Sequence, residues 1–309
     1  MQGQDEYQWL SEKIKQVMQE NTTSQNLLSA NREHMKFYYL TQLLNGPVES
    51  SKYNRYLKFS SAELIVLILY DSCESNNKDD EDKILRRFII NNVFDELIRQ
   101  EFDAETFEYG ERVISIIQAD NLTAQTERVR CVLEQLQDFT AQNFHFDVIT
   151  LIGSIQISPN SIHASYKDAL ELEEYVQILN SKTLNVTDIK DVTYLYDYQV
   201  EEEEKIIRFI EFGECEQASS LIQEVFRRNI KNGLSANMYR CLIYELIGSI
   251  LKGASQAGLE DASNYIVFPD SSLIKSSPQS VEQLILKDAF LICERINKNR
   301  EEFESQSQF

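Results

Sequence analysis

Glu101 to Asp120 reads EFDAETFEYGERVISIIQAD, and the placing of its turn decides the fold. Two short strand-like runs flank Tyr109-Gly110-Glu111. The second, Val113 to Ile117, is rich in β-branched residues, which suit a packed, pleated surface. Working outward, Ala62 to Tyr70 (AELIVLILY) is almost continuously apolar and marks a central strand buried on both faces. Between that run and the hairpin, Ile84, Leu85, Phe88, Ile89, Val93, Phe94, Leu97 and Ile98 recur at three- and four-residue spacing. This predicts a helix of about twenty residues. Beyond the hairpin, Val129, Val132, Leu133, Leu136 and Phe139 predict a second helix that begins near Thr123 or Thr126. Phe146 to Ile157 then reads as a fourth strand with a bulge at Gly153. The predicted order is β-α-β-β-α-β, the split βαβ arrangement.

The flanks differ in kind. Asp5 to Asn45 has no proline and no glycine, which suits one long helix. A heptad register places Tyr7, Ile14, Asn21, Leu28 and Met35 at a, with Leu10, Val17, Ser24, Asn31 and Tyr38 at d. Leu27, Leu40, Leu43 and Leu44 lie outside that seam, so a helix resting on its own domain is the competing reading. The first half is taken as coiled coil, and Met35 onward as packed on the following domain until Gly46-Pro47 ends it. After Ser158-Pro159, Ser161 to Leu179 reads as a third helix, and Tyr194, Tyr196 and Tyr198 alternate as in a short strand. From Glu201 the period is helical to the end. Helices are expected around Ile206 to Ile210, Ala218 to Phe226, Ser235 to Leu251 and Val281 to Phe303. The expected fold class is α+β: a signalling helix (1–45), a βαββαβ domain (46–180) and a helical domain (181–309).

Composition narrows the function. The chain has 309 residues, 42% hydrophobic and 26% charged, as in a soluble globular protein. A formal net charge of −20 opposes binding to nucleic acid or to an anionic membrane, because both need clustered Lys and Arg. No apolar run approaches the length of about eighteen residues that a span requires, and MQGQDEYQW is not a signal peptide. Cys73, Cys131, Cys215, Cys241 and Cys293 are scattered and odd in number, which fits reduced cytoplasmic thiols. The acceptor-like triplets at Asn21, Asn121 and Asn185 are discounted for that reason. His34, His145 and His163 lack ligand-spaced neighbours, and Asp79 to Asp82 reads as a helix start. There is no Gly-rich phosphate loop and no GxSxG elbow, and no metal or cofactor is expected.

Tyr109-Gly110-Glu111-Arg112-Val113 resembles the Gly-Gly-Asp-Glu-Phe turn of diguanylate cyclases, position for position. In that likeness Gly110 matches the second glycine, Glu111 the aspartate, and Asp71 the acid that ends the first strand. Arg112 stands at the metal-binding glutamate, and Tyr109 at the glycine that lets nucleotide approach the backbone. A guanidinium has donors and no acceptor, so it cannot ligate magnesium. The loop after Asp71 also lacks the family's metal- and phosphate-binding pattern. The resemblance implies a palm-type, degenerate cyclase-like (GGDEF-like) domain that is not an enzyme.

Val148 to Ile155 (VITLIGSI) followed by Ser165 to Leu170 (SYKDAL) resembles the end of the degenerate cyclase-like domain in large AraC-type bacterial regulators. Tyr198 to Ile207, Cys241 to Leu246 and Ile292 to Ile296 resemble their helical linker. The likeness implies the central cytoplasmic region of a membrane-anchored transcription regulator, between a membrane sensor and helix-turn-helix units. Its expected role is signal transmission and homodimerisation through Tyr7, Leu10, Ile14, Val17, Leu28 and Met35, without DNA binding of its own. The alternative is a nucleotide- or ligand-binding sensor built on an inactive cyclase fold.

Overall fold

The computed structural model describes residues 30–59, 63–72, 80–189, 192–231, 233–266 and 277–306. Those residues form an α+β protein with nine α-helices and one five-stranded mixed sheet. The chain divides into two compact units, Met1–Leu170 and Glu171–Phe309. In chain order the elements are α1 (30–45), α2 (Ser50–Tyr53), β1 (Glu63–Asp71), α3 (Asp80–Arg99), β2 (Asp103–Tyr109) and β3 (Arg112–Ala119). Then come α4 (Leu122–Phe144), β4 (Val148–Ile152), α5 (Ile162–Leu172) and β5 (Thr183–Asn185). The strand order is β2-β3-β1-β4-β5.

β1 is central because its apolar run can be covered on both faces. It pairs antiparallel with β3 from Glu63↔Ala119 to Leu69↔Val113, and with β4 from Leu67↔Ile152 to Asp71↔Val148. Successive strand residues point to opposite faces. Ile65, Leu67, Leu69, Val113 and Ile117 pack against Ile90, Phe94 and Ile98 of α3 and Val129, Leu133 and Leu136 of α4. The alternate set, Leu64, Val66, Ile68, Ile114 and Ile116, is equally buried. The other face carries α1, where Leu40, Leu43 and Leu44 are buried, and α5, whose Ser165 accepts the Val66 N–H at 3.0 Å.

That last bond explains why the strand predicted over Phe146 to Ile157 stops at Ile152. Beyond the pair Leu67↔Ile152, Leu64 and Gln156 exchange hydrogen bonds of 2.7 Å. Ile65 and Val66 therefore face three residues, Gly153, Ser154 and Ile155, so one residue is extra and the strand bulges. Ser165 fills the gap in the ladder, and a Cβ at Gly153 would lie 2.1 Å from the Ser165 carbonyl oxygen. The bulge is required by how closely α5 approaches.

The third helix is shorter than the expected Ser161 to Leu179. It tightens into a 3₁₀ turn at Glu173–Tyr175, where Glu171, Glu173 and Glu174 set negative charge against the helix C-terminus. Tyr194, Tyr196 and Tyr198 form no strand; Thr193 alone makes a parallel bridge, to Leu234. Tyr196 and Tyr198 turn the same way because both pack on the helical core, and the Tyr198 hydroxyl lies 2.8 Å from Ser249 Oγ.

The second unit continues with α6 (Val200–Glu211), α7 (Cys215–Lys231), α8 (Ala236–Gln256) and α9 (Pro278–Gln306). The starts follow the polar signals in the sequence. Glu202 accepts the Gln199 N–H at 3.1 Å, and Ser235 Oγ accepts the Met238 N–H at 3.4 Å. Ile206, Ile210, Phe226, Leu242, Leu246 and Ile292 centre the core of this unit. Among the described residues, no helix is long and apolar enough to cross a membrane.

Candidate functional site

The end of β1 and the β2–β3 turn are the only place to which the sequence assigned chemistry. Tyr109 and Arg112 are register partners, so Gly110 and Glu111 form a two-residue loop. Gly110 has φ +62°, and Glu111 is not among the positive-φ residues. Glycine first with positive φ is the sign pattern of a type II′ turn, whose twist matches the flanking strands.

The register separates residues that the sequence had grouped. Leu69↔Val113 is the last pair of β1 and β3. Two residues further along β1, Asp71 falls on the α3/α4 face with Leu67 and Leu69. One residue further on, Tyr70 stands beside Arg112 on the α1/α5 face. Arg112 is thus on the opposite side of the sheet from Asp71. The guanidinium that meets Asp71 belongs to Arg86 of α3, whose Nη1 donates to Asp71 Oδ2 at 2.8 Å. Both side chains are largely buried, at 15% and 16% exposure. Arg86 also lies over the Phe146 ring, 5.0 Å from its centroid. The adjacent Arg87 donates from Nε to Glu108 Oε2 at 2.8 Å, immediately before the turn.

These two arginines place fixed positive charge against Asp71 at the end of β1 and Glu108 just before the turn. A cation at Asp71 would have to displace a charge-assisted hydrogen bond from a desolvated pair. Among the described residues no group of three or more His, Cys, Asp or Glu is arranged to hold a metal. Arg86 and Arg87 were missed in the sequence reading because they fall inside an apolar helical pattern. The available signal was two adjacent cations in the helix that follows the first-strand acid.

The α1/α5 face of the hairpin is also occupied. The Tyr109 ring meets Tyr166 of α5 edge-on at 6.3 Å, and Asn45 Nδ2 at the end of α1 donates to Tyr109 Oη at 3.3 Å. Phe37 packs edge-on against Phe107 at 5.9 Å, and Lys36 Nζ is 2.5 Å from Glu105 Oε2. Each residue of this set on β2 (Glu105, Phe107, Tyr109) alternates onto the one face that α1 covers. Downstream, Ser154 donates to the Asp168 carboxylate, joining the two segments on which the regulator likeness rests.

Of the seam residues, Tyr7, Leu10, Ile14, Val17 and Leu28 lie outside the described residues. Met35 is on α1 and half-buried. No protein-family model matches this chain, and no curated protein sequence matches it.

Proposed function

We propose that this chain is a non-catalytic signal-transmission region, built on a degenerate cyclase-like palm and a helical linker, of an AraC-type transcription regulator. It works in the cytoplasm as a dimer, with DNA contacts made by other domains. One observation carries the reading: α1 is fastened to the hairpin by Lys36–Glu105, Phe37–Phe107 and Asn45–Tyr109. A shift or rotation of α1 would act directly on the turn where an active cyclase holds its metal, so the palm serves as a mechanical relay. Arg86 on Asp71 supports the loss of catalysis, since the charge of the missing metal is supplied by the protein itself.

The test pairs two measurements on the purified chain. Incubation with GTP and magnesium or manganese should give no cyclic dinucleotide by chromatography; turnover that Asp71→Asn abolishes would overturn the non-catalytic reading. Amide exchange should quicken across residues 103–119 in the double variant Lys36→Glu, Phe37→Ala and stay unchanged in α6 to α9. Unchanged exchange in the hairpin would overturn the relay. Calorimetric binding of GTP or a cyclic dinucleotide would favour the ligand-sensing alternative.

A further inference from the structure

Cys215 and Cys293 look unrelated in sequence, yet the helical unit brings them together. Cys215 is the first residue of α7, and Cys293 lies in α9. Cys293 belongs to the buried core of this unit, Cys215 packs against that core beside it, and both thiols are free. Neighbouring bonds hold the two segments together. On the same stripe of α9, Asn297 donates to the Gly213 carbonyl at 3.0 Å, and Arg300 donates to the carbonyls of Phe212 at 2.8 Å and Glu211 at 2.7 Å. The α6–α7 connection is thus held against α9 from Cys293 to Arg300. Cys293 is fully buried and Cys215 half-buried.

We propose that Cys215 and Cys293 are a redox-responsive dithiol, which a peroxide converts to a disulfide fastening the start of α7 to α9. The half-exposed Cys215 meets the oxidant. Its sulfur attacks one peroxide oxygen, the O–O bond breaks, and water leaves, so Cys215 becomes a sulfenic acid. Cys293 sulfur then attacks Cys215 sulfur, and the sulfenic hydroxyl departs with the Cys293 proton as a second water. Two thiols lose two electrons in all, and the peroxide gains them. The order of attack follows from access: Cys293 is fully buried and Cys215 half-buried, so the oxidant reaches Cys215 first. The bond would form whether or not the chain transmits a signal.

The test treats the folded, reduced chain with hydrogen peroxide, blocks remaining thiols, and maps peptides by mass spectrometry. The expected product is a peptide pair joined through Cys215 and Cys293, lost in Cys215→Ser and kept in Cys131→Ser and Cys241→Ser. The unfolding midpoint of the oxidised chain should rise by roughly 5–10 °C and fall back with dithiothreitol. Over-oxidation of Cys215 with Cys293 still free to alkylate after denaturation would overturn the proposal. So would a joined pair whose midpoint is unchanged or lowered, because the bond would then have formed in unfolded chains.

Discussion

A methyl group at position 153 would sit 2.1 Å from the Ser165 carbonyl oxygen, well inside van der Waals contact, so Gly153→Ala must push α5 away from β4. The obstacle is backbone and cannot rotate aside. Urea denaturation should show a loss of roughly 1–3 kcal/mol, the usual cost of overpacking. Ser165→Ala acts on the same contact from the other side. It leaves the buried Val66 N–H without its acceptor, also a loss of roughly 1–3 kcal/mol. The double variant should lose less than the sum of the two, because neighbours on one contact are not additive. The sequence pointed to Gly153 through its position within an apolar strand. It could not point to Arg86, because which cation reaches Asp71 depends on how α3 lies on the sheet.

Arg228 does for α6 and α7 what Ser165 does for β4 and α5. Its Nη2 donates to both Glu202 oxygens, at 3.0 and 2.8 Å, and to the Asp197 carbonyl at 3.0 Å. Burial alone would raise Glu202; the hydrogen bonds from Arg228 and the Gln199 N–H, with the charges of Arg228 and Lys205, together outweigh it, and the carboxyl is held below its ordinary value. A depressed carboxylate contributes stability above its unfolded value, near the ordinary 4.5, and loses it as pH falls through the lower folded value. Arg228→Met should therefore destabilise the helical unit at neutral pH, by about 1–2 kcal/mol given the partial exposure of Arg228. The gap from wild type should narrow as pH falls below that range. A gap constant with pH in parallel denaturation series would exclude the Glu202 pair as its source. The long elements were legible in the sequence because many apolar residues repeat one period, as in β1, α3, α4 and α8. Short ones were not. β5 is three residues, Thr183–Asn185, too few to show alternation, and the tyrosines at 194, 196 and 198 mimicked a strand by packing on helices.

For the whole molecule, the net charge of −20 sets the expectation that the chain alone binds no DNA fragment specifically at physiological salt. A retarded band surviving competitor DNA would refute this. Association is the sharper question, because under the proposed function α1 serves the sheet and a second chain at once. The helix has room for both. Its domain side is Lys36, Phe37, Leu40, Leu43 and Leu44, whereas the heptad positions within the described part are Asn31, Met35 and Tyr38. Asn31 is exposed, Met35 half-buried and Tyr38 50% exposed, so the seam edge is not consumed by the sheet. If Tyr7, Leu10, Ile14, Val17 and Leu28 extend that edge, two chains should pair in parallel. Each aliphatic side chain buried there stabilises by roughly 1.5–3 kcal/mol, while Asn21 and Asn31 weaken the seam, so a dissociation constant of about 1–10 μM is expected. Ile14→Asp with Val17→Asp would set like charges across the axis in a desolvated position and oppose pairing. Light scattering over a concentration series decides it. A wild-type chain still monomeric at about 100 μM would sink the seam, and a dimer indifferent to both aspartates would place the contact elsewhere.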